Sequence, residues 1–322
     1  MKLGDEILYL CNADVERCGV TPGEAEAALE AMFAEKAAGR TVMKPKQSLQ
    51  SPGGALFLSM PAGLESPPRM GLKWVGVAPG DRATHHPHIS GLVVLNDSET
   101  GMPLMVMDAR WITGVRTAAI TGVAAKHLAR RDSSAVGFIA CGVQARTNLA
   151  ALMEHFEVEE VRAYSRRLRT AVGFAGEARA LGIAAEAVED PRAAVEGMDI
   201  VVTSVPLIPA VEPFLDAAWL APGAFVAMVD LGKPWLPGSL GALDRVVTDD
   251  YDQSGPSGEN LGYPKPYDAD VAELVAGARP GREAETERTA LLFGGPAVAD
   301  VAVAEVVYQR AKAEGIGRVL AL

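Results

Sequence analysis

Val136-Gly137-Phe138-Ile139-Ala140-Cys141-Gly142-Val143-Gln144-Ala145-Arg146 is the stretch that decides the fold. Val136 to Ala140 is an apolar run that reads as a buried strand. Gly142 follows at once, and a helical pattern opens around Gln144. Strand, tight turn and helix N-terminus in that order cradle a dinucleotide pyrophosphate. Small residues let backbone approach phosphate, and the N–H groups of the first helical turn face its charge. The full fingerprint is Gly-x-Gly-x-x-Gly/Ala. Here it reads Ala140-x-Gly142-x-x-Ala145, with alanine in the first place. On these residues alone, an ordinary strand-to-helix turn is an equal alternative.

The next strand adds weight. A helix over roughly 145–155 is followed by Val161-Arg162-Ala163-Tyr164-Ser165, which reads as a strand. In dinucleotide folds an acidic residue about 20 positions past the glycines grips the ribose hydroxyls. Ser165 stands there instead, followed by Arg166 and Arg167. A hydroxyl and two guanidinium groups suit a ribose 2′-phosphate, because arginine forks onto phosphate oxygens. This favours NADP(H) over NAD(H); solvated surface arginines are the other reading.

Working outward, the pattern continues with a helix at 170–181 and strands at 199–204 and 224–229. Strands alternating with helices at this spacing predict an α/β, doubly wound parallel sheet. Upstream, residues 42–107 hold short apolar or alternating runs broken by Gly and Pro, with Asp97–Gly101 as a hairpin turn. An Ala-rich helix spans 112–130. Thr21-Pro22-Gly23-Glu24 is a capping box that opens a helix over 21–39. A C-terminal helix, 297–313, carries Val298, Val301, Ala302 and Val306 on one side and reads as amphipathic. These pieces predict a discontinuous α+β domain, 1–115 with 303–322, interrupted by a dinucleotide domain, 116–302.

Composition sets limits. The chain has 322 residues, 49% hydrophobic and 22% charged, with a net charge of −11. That length suffices for two domains with cores, and the charge disfavours nucleic acid or anionic membrane as main partner. Three cysteines, Cys11, Cys18 and Cys141, suggest neither a disulfide framework nor a zinc site, so a cytoplasmic location is expected. No apolar run approaches the ~20 residues of a membrane span. Cys141 reads as a small residue tolerated by a tight turn. His85-His86-Pro87-His88 is too tightly spaced for one helix face, so no metal is expected. Gly255 to Gly262 reads as a surface loop able to close over a site.

Some charges sit where solvent is not expected. Lys73 interrupts Gly71-Leu72-Lys73-Trp74-Val75, and Arg116 lies among small and apolar residues from Trp111 to Ala119. Each needs either an anionic ligand or a buried Asp or Glu partner. Asp230 closes the run Phe225–Val229, at the carboxyl end of a strand where such sheets bind ligands; a turn or capping role fits equally. Lys46, in Met43-Lys44-Pro45-Lys46, is a weaker candidate.

Taken in order, three motifs closely resemble the ornithine cyclodeaminase/mu-crystallin family. They are Gly101-x-Pro103-Leu104-x-x-Met107-Asp108, Ile112-Thr113-x-x-Arg116-Thr117-Ala118-Ala119 and Gly142-Val143-Gln144-Ala145-Arg146. Gly294-Gly295-x-Ala297-x-x-Asp300-Val301 and Gly315-Ile316-Gly317 extend the likeness. The resemblance implies a Rossmann domain inserted in a dimerisation and substrate domain, and a homodimer. It implies that Lys46, Lys73 and Arg116 bind a substrate carboxylate with Met60 nearby, and that Asp230, with Lys73, serves catalysis at the carbon–nitrogen centre. It implies a cofactor lined by Thr117, Gly142, Val143, Gln144, Ser165, Arg166, Thr203, Ser204, Val205 and Gly295. Ornithine cyclodeaminases resemble one another in a Glu two residues before the Met-Pro pair, where this chain has Leu58. That points away from a diamino acid and toward NAD(P)H-dependent interconversion of a 2-imino (ketimine) or 2-oxo acid and its amino acid. Cyclodeamination with bound NAD+ and ammonia release, and non-enzymatic NADP-dependent binding of the mu-crystallin type, are the competing expectations.

Overall fold

The computed structural model describes residues 2–78, 87–206, 211–254, 263 and 265–322. His85, His86 and the 255–262 loop lie outside them. The chain divides into two compact units, 1–116 with 296–322 and 117–295.

In chain order the first unit holds β1 (Glu6–Leu10), α1 (Asn12–Arg17), α2 (Pro22–Ala37), β2 (Thr41–Met43), β3 (Gln47–Gln50), β4 (Leu56–Leu64), β5 (Arg69–Val77), β6 (Ile89–Asp97) and β7 (Pro103–Asp108). The helix α3 (Arg110–Leu128) runs through the division at 116/117. The second unit holds β8 (Ala135–Ile139), α4 (Val143–Leu152), β9 (Glu160–Tyr164), α5 (Leu168–Ala180), β10 (Ala184–Val188), β11 (Ile200–Thr203), β12 (Phe225–Met228), β13 (Arg245–Thr248), α6 (Tyr251–Ser254), β14 (Ala269–Asp270), α7 (Val271–Val275) and β15 (Thr289–Leu292). The chain then returns to the first unit with α8 (Ala297–Glu314) and β16 (Arg318–Ala321).

The first unit is an eight-stranded mixed sheet ordered β16-β1-β7-β6-β5-β4-β2, with β3 also on β4. Its neighbours are antiparallel except the parallel pair β1–β7. Side chains alternate across the pleat, and α8 covers one face. Asp300 reaches Lys73 and Glu305 reaches Arg69, both on β5. Between those contacts a Cβ at Gly71 would stand 2.8 Å from Val301 Cγ2, so glycine is what lets helix and strand approach this closely. The amphipathic reading of α8 is corrected here: Ala297 through Glu305 is buried without a break, and Val306 is half-exposed. The helix packs against α2 as well as the sheet, so it has no wet side for most of its length. The second division also falls at 295/296, ahead of the expected 302/303. All of α8 belongs to the first unit, whereas a boundary at 302/303 would have cut the helix. Thr21 and Glu24 form the capping box at α2, with Thr21 accepting from the Glu24 N–H at 3.2 Å.

The second unit is an eight-stranded parallel sheet ordered β10-β9-β8-β11-β12-β15-β13-β14. Strands β8, β11, β12 and β15 are nearly unbroken apolar runs because both of their faces are buried. The order reverses between β8 and β11, which lie in register at Ile139 and Thr203. Such a reversal opens a crevice at the carboxyl ends of the two strands.

Candidate active site

In the first unit, the cations singled out from sequence come together. Lys73 Nζ donates to Asp300 Oδ1 at 2.7 Å, and Arg116 Nε donates to the same oxygen at 3.0 Å. All three side chains are essentially out of solvent. Met60 pairs with Lys73 across β4–β5, so both point to the same face, and Leu58 pairs with Val75 one pleat further along that face. Lys46, half-buried between β2 and β3, adds its positive field to Lys73. The buried-partner reading of Lys73 and Arg116 is therefore met by Asp300. Two cations nevertheless share one carboxylate oxygen here. Burial, and the Arg116 guanidinium next to it, push the Lys73 ammonium down to about 7 against the pull of Asp300. An arriving anion would relieve that field.

Asp300 went unassigned in the sequence reading. Its signal was the same as for Arg116: a lone charge within apolar helix residues, Val298-Ala299-Asp300-Val301-Ala302.

In the second unit, the loop after β8 turns into α4 at Gly142. Ala140 stands in the left-handed region at φ 72°, which explains why the fingerprint has glycine there. Leu231, directly after Asp230, does the same at φ 63°. These are the two non-glycine residues with positive φ among the described residues. Each such alanine or leucine costs about 1–2 kcal/mol, and strain of this kind gathers at functional sites. Gly142 has an ordinary negative φ, and a Cβ there would meet no atom within 4 Å. The fold itself does not require glycine at 142; the open space before the α4 N-terminus fits a phosphate. Arg146 Nη1 donates to the carbonyls of Cys141 and Gly142 at 3.0 and 2.9 Å. Because N–H and C=O of one planar peptide point oppositely, this turns the N–H groups of Gly142 and Val143 away from Arg146. Glu177 and the Phe174 ring hold the guanidinium in turn. Cys141 is buried, donates to the Tyr164 carbonyl, and burial pushes its thiol up to about 12, so it is inert.

Ser165 is half-buried just past β9; Arg166 and Arg167 are exposed, and their side chains make no hydrogen bond or ion pair among the described residues. Thr203 ends β11 and Ser204 follows it. Ser204 N–H donates to the Ile139 carbonyl and its hydroxyl to the Ala140 carbonyl, each at 3.0 Å, tying the two switch-point strands together. The N–H of Gly295 is already given to Asp249 Oδ2 at 2.8 Å, and that of Gly294 to Asp249 Oδ1. Asp249, buried and missed in the sequence, thus shapes the glycine pair. Thr117, which starts the second unit, is buried in α3.

Asp230 lies two residues past β12 and is buried. Its Oδ1 accepts from the Thr203 hydroxyl at 2.8 Å and its Oδ2 from the Val205 N–H at 2.9 Å. Burial pushes the carboxyl up to about 6 despite these donors. The carboxylate therefore fixes the segment after β11 and is also poised to exchange a proton near neutrality.

The Ornithine cyclodeaminase/mu-crystallin family profile matches residues 7–315. The chain belongs to this family. It is 36% identical over 322 residues to alanine dehydrogenase of Archaeoglobus fulgidus, covering 97% of each chain. Among solved structures of the family fold, an archaeal alanine dehydrogenase dimer with bound NAD is 34% identical with TM-score 0.88, covering 98% of this chain and 99% of that one. The Δ1-pyrroline-2-carboxylate reductase of Thermococcus litoralis, in complex with NADH and L-proline, is 30% identical with TM-score 0.87, covering 97% and 99%.

Proposed function

We propose that this chain is a nicotinamide-dependent oxidoreductase that interconverts a 2-oxo or 2-imino acid and the corresponding amino acid. The observation that carries it is Asp230, a carboxylate buried just past the carboxyl end of β12, where parallel sheets of this kind bind ligands, and held in place by the Thr203 hydroxyl and the Val205 N–H. The relatives' activities, alanine oxidation and cyclic imino acid reduction, are of the same class.

The nicotinamide cofactor, when bound, supplies or accepts the hydride at the carbon. Gly142 and Val143 would hold its pyrophosphate, with Gln144, Thr203, Ser204 and Val205 along the crevice. Arg116, Lys73 and Lys46 take the substrate carboxylate and so orient the carbon. Asp230 holds the proton that the nitrogen gains on reduction and releases on oxidation. Leu58 and Met60, on the Lys73 face, offer apolar contact and no carboxylate for a second ammonium group. This favours a simple apolar side chain over ornithine.

The deciding assay follows NAD(P)H absorbance and ammonia together, on 2-oxo acids with ammonia or methylamine, cyclic imino acids, and diamino acids. Absorbance loss with an imine-forming substrate is expected. Ammonia released from a diamino acid at constant absorbance would replace this reading with a cyclodeaminase.

Both cofactor forms are expected to bind, with NADP(H) favoured because Arg166 and Arg167 stand exposed beside Ser165. Arg166→Ala should weaken NADPH by about tenfold and leave NADH nearly unchanged, read by fluorescence titration. Gly142→Val should fold normally, since its side chain enters open space, yet weaken either cofactor by about a hundredfold through lost approach to the pyrophosphate.

The functional unit is proposed to be a homodimer. Opposite α8, the first sheet shows Met70, Trp74 and Leu92 exposed, with Phe57 stacked on Trp74 at 5.6 Å. Contiguous exposed apolar surface of this kind marks an interface, and a second copy is the occupant suggested by the dimeric relative. Trp74→Glu should shift the mass in light scattering from dimer to monomer.

A further inference from the structure

Asp300 binds its two cations unevenly. Oδ1 receives both the Lys73 ammonium at 2.7 Å and the Arg116 Nε–H at 3.0 Å, while Oδ2 accepts no hydrogen bond among the described residues. A carboxylate serving only to neutralise would spread its donors over two oxygens. Gathering both donors on one oxygen forces ammonium and guanidinium side by side against their mutual repulsion. The helix that carries Asp300 is fixed to β5 beyond this point. Val301 lies in close approach to Gly71, and Glu305 grips Arg69 at 2.7 and 3.2 Å. The position of the carboxylate is thus set by the backbone of α8 rather than by the cations it holds.

We propose that Asp300 is a positioning residue, which presents Lys73 and Arg116 as an adjacent pair to the substrate carboxylate. The proposal rests on the reading above that this pair binds that carboxylate. The charged groups facing Lys73 are Asp300 from α8, Arg116 from α3 and Lys46 from the segment between β2 and β3. Asp300 is the anion of that set, so it alone opposes loss of the Lys73 proton.

Asp300→Asn removes the charge and keeps the shape; Asp300→Glu keeps the charge and displaces it by a methylene. Two readouts separate position from mere structure. The first is the NMR titration of the Lys73 ε-carbon in the full chain without substrate, assigned through its absence in Lys73→Arg. The second is the split between KM and kcat for a 2-oxo acid with ammonia. Asp300→Asn should lower the Lys73 midpoint by about one pH unit or more and raise KM about tenfold or more. Turnover at saturation and NADPH affinity should stay within about threefold. Asp300→Glu should keep the midpoint and still raise KM. An unmoved midpoint or an unmoved KM in Asp300→Asn overturns the proposal. If Asp300→Asn does not fold, an unchanged KM in Asp300→Glu does the same. Failure of the wild-type chain to reduce any 2-oxo or 2-imino acid would sink the functional reading itself, a result distinct from a wild type that works with a variant that keeps its KM.

Discussion

Asp230→Asn should lower turnover by about 10²- to 10⁴-fold, the span by which a positioned proton donor or acceptor accelerates a reaction. The substitution keeps the shape. The amide oxygen still accepts one of the two bonds from Thr203 and Val205, so the segment after β11 should hold. NADPH binding should therefore change little, and the loss should fall on kcat. The pH profile supplies the sign. Burial raises the Asp230 carboxyl to about 6, so it is protonated below and ionised above. In amino acid oxidation it accepts a proton, and the rate should climb as pH rises through 6. In imine reduction it donates one, and the rate should fall through the same range. Both limbs should vanish in Asp230→Asn. Stopped-flow turnover in each direction, with cofactor affinity measured separately, checks this. Retention of full turnover would remove Asp230 from the chemistry and leave it as the tie between β11 and β12.

What was legible in the sequence divides along physical lines. The parallel sheet was readable because strands buried on both faces are continuous apolar runs, as at Val136–Ile139 and Phe225–Met228. The edge strand β10 carries the mixed pattern Ala-Ala-Glu-Ala-Val and escaped notice. Strands β1 and β16 pair with each other across almost the whole length of the chain, which no local pattern reveals. The helix α8 misled for another reason. Its small and β-branched residues suggested one apolar stripe, but α2 and four strands surround it. The candidate site was legible in its charges and not in its pairings. Lys73, Arg116 and Asp230 each broke an apolar context and so announced themselves. That Asp300 joins the first two is a matter of topology, since α8 returns to β5 only after the entire second unit.

Lys73→Met should lower kcat/KM by about a hundredfold at pH 6.5, because truncating one member of a buried charged contact costs about 2–5 kcal/mol. The variant leaves Arg116 on Asp300 and removes one of the cations that draw a carboxylate. Folding should suffer less than in Asp300→Asn. Here Asp300 keeps Arg116 as a partner, whereas loss of the anion sets two adjacent buried cations against each other. The pH dependence again follows from the direction of the shift. Lys73 is held down to about 7, so it is charged below that pH and neutral above it. Carboxylate binding needs the charged form, so wild-type kcat/KM should fall about tenfold per unit as pH rises past 7. A bound carboxylate supplies the missing negative neighbour and restores the ammonium, so the corresponding limb in kcat should appear at higher pH. Lys73→Met should show neither limb, since methionine does not titrate. Initial rates of amino acid oxidation across pH 6 to 9, at low and saturating substrate, decide it. If both proteins share the same alkaline limb, Lys73 is not its source, and the carboxylate is bound by Arg116 without it.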